Sequence, residues 1–95
     1  MKHKSTAAEI AKWVGVSPAR GMEAIIKAQL ITAILQALQV KKMTHLELAK
    51  RAKLPRSAVT GILSGSLQKV TIDRVLRLIE AVGLIAEIRI RKSAA

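Results

Sequence analysis

Ninety-five residues make one small domain, and 17 Lys and Arg against 6 Asp and Glu give it a formal charge of +11. With no Cys, Phe or Tyr and a single Trp, the chain excludes disulfides, a thiol nucleophile and a zinc–thiolate site, and its core must be Ile, Leu, Val, Ala and Met. His3 and His45 are too few and too far apart for a metal cluster, and no Ser/His/Asp spacing, Gly-rich phosphate loop or paired carboxylates indicate an enzyme or a cofactor; Asp73 and Glu80 read as a solvated helix face.

In chain order, the basic start Met1–Ser5 is not followed by an apolar signal core. Residues 6–14 predict a short helix, capped by Ser5 or Thr6 and stopped at Gly15. Ser17-Pro18 breaks the chain and begins a long helix, 19–41. Met22, Ile25, Ile26, Leu30, Ala33, Ile34, Ala37 and Leu38 recur at three and four and form its inner face, with Ile31 and Leu35 outside it. So wide a stripe suits either a plain core or a second apolar side that meets another chain. Lys27 interrupts the most apolar run, so no membrane span of about 20 residues is expected, and the chain is expected to be soluble and cytoplasmic.

Lys41-Lys42-Met43 is a connector. Thr44 caps a helix at 45–52, with Glu47 three residues on completing a capping box. Lys53-Leu54 makes a turn, Pro55 opens a helix from Arg56 to Leu63, and Gly65 ends it. Residues 66–70 form a loop. Thr71 caps a further helix, 72–82, whose Ile72, Val75, Leu76, Ile79 and Val82 face inward, and Gly83 is its left-handed stop.

Beyond Gly83 the period changes to two: Leu84, Ala86, Ile88 and Ile90 alternate with Ile85, Glu87, Arg89 and Arg91, the pattern of a half-buried strand. No second strand is visible in the chain, and a lone strand leaves its backbone groups unpaired. The same strand of a second copy, antiparallel across a two-fold axis, is the economical partner; a strand of another protein, or a frayed basic tail, are the alternatives. Glu9-Ile10-Ala11-Lys12 faintly echoes Glu47-Leu48-Ala49-Lys50, which reads as chance or a decayed repeat, since Gly21 falls where Val59 packs.

The pair of helices at 44–63 has a specific design. Small Ala49 permits a close crossing, and Leu48, Ala52 and Leu54 face Val59 and Ile62 across the corner. The outward side of the second helix is left polar, with Arg56, Ser57, Thr60 and Gly61 near the end that would enter a DNA groove. Arg pairs bidentately with guanine, and Ser and Thr take a base edge or a thymine methyl. Of the charge, 12 basic and 4 acidic residues fall from residue 41 onward, which puts +8 of the +11 beside this corner. A polyanion partner follows from that excess, although charge alone also serves solubility.

Thr44-His45, Glu47-Leu48-Ala49-Lys50, Leu54, Arg56-Ser57, Val59, Ile62, Gly65, and Thr71-Ile72-Asp73-Arg74-Val75-Leu76 leading to Ala81-Val82-Gly83-Leu84 together resemble the lambda-repressor-like helix-turn-helix family, also called XRE or Cro type, over about residues 22–84. The resemblance implies an all-α bundle of four to five helices. The strand stands in for the last helix and pairs across a dimer. The implied organisation is an N-terminal extension, 1–20, a DNA-binding domain, 21–83, and a dimerising strand, 84–92, of Leu84, Ala86, Ile88 and Ile90. It further implies that Thr44, His45, Arg56, Ser57 and Thr60 touch phosphate or bases. With the outward helix face and the basic excess, the expected base contacts are Arg56, Ser57, Thr60 and Gly61, and the expected phosphate contacts are Lys41, Lys42, Thr44, His45, Lys50, Lys53, Ser64 and Lys69.

Three residues depart from the pattern: His45 stands where Gln is common, Lys53 where a turn Gly is common, and Gly61 where a longer polar side chain is common. Lys53 is therefore expected at positive φ, and direct readout around Gly61 is expected to be sparse. The layout is similar to antitoxins of the HigA-like group, which bind a small toxin and repress their own operon. The implied function is a sequence-specific, autorepressing antitoxin that binds double-stranded DNA, a second copy and a small toxin. The alternatives are a stand-alone repressor of the same family and an architectural DNA binder without sequence preference.

Overall fold

The computed structural model of the protein describes residues 17–65 and 70–92. The helix expected at 6–14, loop residues 66–69 with Lys69, and 93–95 lie outside the described residues. Four helices are described: α1 Pro18–Lys41, α2 His45–Ala52, α3 Arg56–Leu63 and α4 Ile72–Ala81.

Their ends are fixed by side chains close in sequence. Ser17 Oγ accepts from the Arg20 N–H at 3.3 Å, and Pro18 takes the first helical position of α1. Thr44 Oγ1 accepts from the Glu47 N–H at 3.1 Å while the Glu47 carboxylate reaches back to the Thr44 N–H at 3.5 Å, a complete capping box. Thr71 Oγ1 accepts from the Arg74 N–H at 3.3 Å.

Three helices stop in the same way. After α1, Met43 and Lys42 donate to Leu38 and Gln39; after α2, Leu54 and Lys53 donate to Ala49 and Lys50; after α4, Leu84 and Gly83 donate to Ile79 and Glu80. Each is a Schellman stop, with one left-handed residue and an apolar residue behind it. The left-handed residues are Lys42 (φ 52°), Lys53 (φ 57°) and Gly83 (φ 81°). Glycine enters that region freely; a lysine costs about 1–2 kcal/mol there, met by the carbonyls it satisfies and the apolar contact behind it.

α1 packs on α4, and α2 on both α3 and α4. Ile34, Leu48, Val59, Val75, Leu78 and Val82 are fully buried at the meeting of the four helices. The inner face of α1 is rotated from the expected one. Ile31, Ile34 and Leu38 are buried, whereas Met22 and Ile26 are exposed. The apolar stripe alone cannot mark which of its residues the shorter helices α2–α4 cover. Ile72 is half-buried and Leu76 exposed, so α4 buries a narrower stripe than expected, Val75, Leu78, Ile79 and Val82.

Lys27 is buried, and its ammonium lies 2.5 Å from the Glu23 carboxylate one turn back. That hydrogen bond, and then the lysine charge, hold the Glu23 carboxyl below its ordinary range. The expectation that Lys27 rules out a membrane-spanning stretch does not hold: by length and composition, the 24-residue α1 is long and apolar enough to cross a bilayer. A core helix passes the same test, and here the Ile31, Ile34 and Leu38 side is packed on α2–α4.

The strand expected at 84–92 is not formed within the chain. These residues carry no regular secondary structure, and Leu84, Ala86, Ile88 and Ile90 are all exposed, as are Ile85 and the charged residues between them. The physical reason is the one the pattern already raised: among the described residues no second segment offers a ladder of backbone partners.

Candidate nucleic-acid interface

Lys53, Leu54 and Pro55 join α2 to α3, and the Schellman stop at Lys53 reverses the chain so sharply that the two helices touch. At the corner Leu48, Ala49, Ala52, Val59 and Ile62 are buried. Burying Val59, Ile62 and Leu63 fixes the rotation of α3. Arg56, Ser57, Thr60, Gly61 and Ser64 consequently share its exposed side. All four residues expected to read bases lie on this one face, spaced as i, i+1, i+4 and i+5.

α3 has no side-chain cap: Pro55 occupies the N-cap position. The Ala58 and Val59 N–H groups bond to the Pro55 carbonyl, but the earlier N–H groups of the first turn have no partner of this kind. The exposed end of the helix thus presents donors and the positive end of its dipole next to the Arg56 guanidinium.

His45, first residue of α2, reaches across to this face. Its Nδ1 lies 3.2 Å from Thr60 Oγ1, a hydrogen bond whose donor is set by the imidazole tautomer. One expected phosphate contact and one expected base contact are therefore tied to each other. The sequence carried the two residue types but not their meeting, which depends on the crossing of α2 and α3.

Several of the expected phosphate contacts have duties inside the chain. The Lys41 ammonium donates to the Val82 carbonyl, tying the end of α1 to the end of α4. Thr44 Oγ1 is committed to the capping box, and the Ser64 hydroxyl donates to the Gly61 carbonyl at 2.8 Å. Lys42, Lys50 and Lys53 are exposed, and Lys69 is outside the described residues. Arg77, which sequence reasoning did not single out, donates from Nη2 to the Ala52 carbonyl at 3.2 Å and so braces the end of α2 against α4. Its position one turn from Asp73 on a mostly polar side gave no sign of this long-range contact.

Among the described residues no group of His and carboxylate side chains could hold a metal ion. The arrangement is a rigid corner with an exposed polar helix face, flanked by lysines. A family model described as a helix-turn-helix domain matches residues 6–91.

The chain belongs to this helix-turn-helix domain family. No curated protein and no solved structure matches it. In such domains the second helix of the pair is the one that lies in the DNA major groove. Here that helix is α3. The family marks the chain as a DNA-binding regulator, and the match runs on to residue 91.

Proposed function

We propose that this chain is a homodimeric, sequence-specific DNA-binding regulator, acting in the cytoplasm and repressing the promoter of its own gene. The observation that carries the reading is the exposed face of α3, where Arg56, Ser57, Thr60 and Gly61 stand together at a helix end without a side-chain cap. Arg56 is the strongest candidate for base discrimination, because a guanidinium can pair with both acceptors of a guanine edge. Ser57 and Thr60 supply shorter contacts, and His45 positions Thr60. Lys42, Lys50 and Lys53 supply phosphate neutralisation, supported by the excess of 17 basic over 6 acidic residues. The lambda-repressor-like pattern of the corner supports the same assignment.

The layout supports a further step. A helix-turn-helix core flanked by 1–20 and 84–92 is similar to the HigA-like antitoxins, so the regulator is proposed to serve as the antitoxin of a type II toxin–antitoxin pair, holding a small toxin encoded beside it.

Two measurements test these steps separately. Competition binding of the wild-type chain to the duplex upstream of its own gene, against a scrambled duplex, is expected to show a preference that persists as salt rises. Equal affinity for both duplexes would leave an architectural binder. Co-expression with the product of the adjacent small reading frame is expected to give a stoichiometric complex that also shifts the promoter. Promoter binding without a complex would leave a stand-alone repressor.

A further inference from the structure

The segment 84–92 is exposed and is apolar at the alternate residues Leu84, Ala86, Ile88 and Ile90, with Ile85 on the other side; Ile85, Ile88 and Ile90 are 89%, 77% and 92% exposed. It leaves α4 beside a shallow, open, mostly apolar groove lined by Ala33, Gln36, Ala37, Val40 and Lys41 of α1 together with Leu84. Val40, at the rim, is also exposed. We infer that the occupant of this region is the same segment of a second copy, paired antiparallel with the two-fold axis on Ile88. This deepens the dimer proposed above by naming its register.

Charge selects that register. A two-fold axis normal to a two-stranded ribbon keeps each residue on the same face as the residue it opposes. With the axis on Ile88, Glu87 opposes the partner's Arg89 twice, once on each side. Ala86 opposes the partner's Ile90, so a small residue meets a large one, and Ile88 meets its own copy. All nine residues from Leu84 to Lys92 are then paired. Moving the axis by one pair sets Glu87 against Glu87 or Arg89 against Arg89, and like charges directly opposite are destabilising. An axis on Ala86 pairs only residues 84–88, and one on Ile90 opposes Arg89 to Arg91.

The groove completes the argument. A two-stranded ribbon alone is marginal in water and needs a helix to pack on. In the chosen register Leu84, Ala86, Ile88 and Ile90 of both copies form one apolar face, ended on each side by Lys92 opposite Leu84. That face continues from Leu84, which already borders the groove. Covering it with Ala33, Ala37 and Val40 of α1 buries both apolar patches in one contact and leaves Ile85, Glu87, Arg89 and Arg91 outward.

The full chain has no cysteine, so single-cysteine crosslinking reads the register directly. Under mild oxidation I88C is expected to give a covalent dimer at least tenfold faster than E87C or R89C. Faster crosslinking through E87C or R89C, or equal rates at all three, would overturn the register while leaving the dimer itself intact. Sedimentation of the wild-type chain separates the two ideas, since a monomer at micromolar concentration sinks both. Charge exchange gives an independent reading. E87R and R89E are each expected to self-associate at least tenfold more weakly than wild type, and an equimolar mixture of the two should recover a heterodimer. Failure of the mixture to recover would also overturn the register. All the substituted residues are exposed, so none of these variants endangers the fold.

Discussion

The corner at 44–63 and the segment at 84–92 both set apolar against polar residues, at helical spacing in the one and at a period of two in the other, yet only the corner satisfies itself within the chain. In the corner every apolar residue that points inward meets one a few residues away: Leu48 and Ala52 meet Val59 and Ile62 across a three-residue turn, and the backbone ends are closed by Thr44, Glu47 and Lys53. In the segment the pattern is just as regular, but no strand to pair its backbone lies among the described residues, and its isoleucines stay in water. Periodicity encodes which face wants to be covered; it does not encode whether the cover is supplied in cis.

The largest expected effect tests this contrast directly. Leu48→Ala removes a fully buried side chain at the corner and should lower the stability of the fold by about 2–5 kcal/mol. Ile90→Ala, at a residue that is exposed in the isolated chain, should change it by less than about 0.5 kcal/mol when measured below the concentration at which the chain associates. Urea denaturation of the two variants at low protein concentration makes the comparison. A tail variant as damaging as the corner variant would mean that the segment packs in cis after all.

Arg56→Ala follows in size, and it moves a different quantity. Arg56 is exposed, so stability should stay within about 0.5 kcal/mol of wild type. Binding to the preferred duplex should weaken by about 1–3 kcal/mol with relaxed choice at one base pair. Loss of affinity for preferred and random duplex alike would make Arg56 a phosphate contact instead, and the salt slope would then fall by about one.

Much of the fold was legible because helix ends are local problems. Ser17, Thr44 with Glu47, Pro55, Thr71 and Gly83 mark the boundaries that the structure has, and the missing turn glycine foretold Lys53 at positive φ. Lys42 in the same conformation was not foreseen, since nothing in Lys41-Lys42-Met43 distinguishes a stop from a connector. The inner face of α1 was misjudged for a non-local reason: its stripe is apolar nearly all round, and how the other helices pack on it decides that Ile31 rather than Met22 is covered. At the site, exposure of the α3 face followed from the burial of Val59 and Ile62. The His45–Thr60 contact and the use of Lys41 as a brace depend on how elements cross, which spacing along one helix does not record.

The capping box offers a smaller and cleaner measure of the local half of that contrast. Thr44→Ala removes the oxygen that accepts from Glu47 and should cost about 1 kcal/mol, within a range of about 0.5–2, read as a shift in the denaturation midpoint. Its oxygen is already engaged in the cap, so any effect on DNA binding should track the loss of helix stability. Thr44→Ser should restore both. A serine variant as stable as wild type but still weak on DNA would return Thr44 to direct phosphate contact.

Gly61 gives the smallest effect and the sharpest sign. A methyl group added there meets nothing within 4 Å, and its φ is not in the region that favours glycine, so neither packing nor backbone calls for glycine at that position. In the interior of a helix, Gly61→Ala should then stabilise the fold by about 0.5–1 kcal/mol. If α3 lies in the groove with its Gly61 side toward the bases, the same methyl group fills the gap between backbone and DNA, and affinity should fall as stability rises. Opposite changes in the two measurements would assign the glycine to close approach by the ligand. Parallel changes, with tighter binding to the same duplex, would move the contacted face toward Arg56 and Ser57 and leave Gly61 outside it.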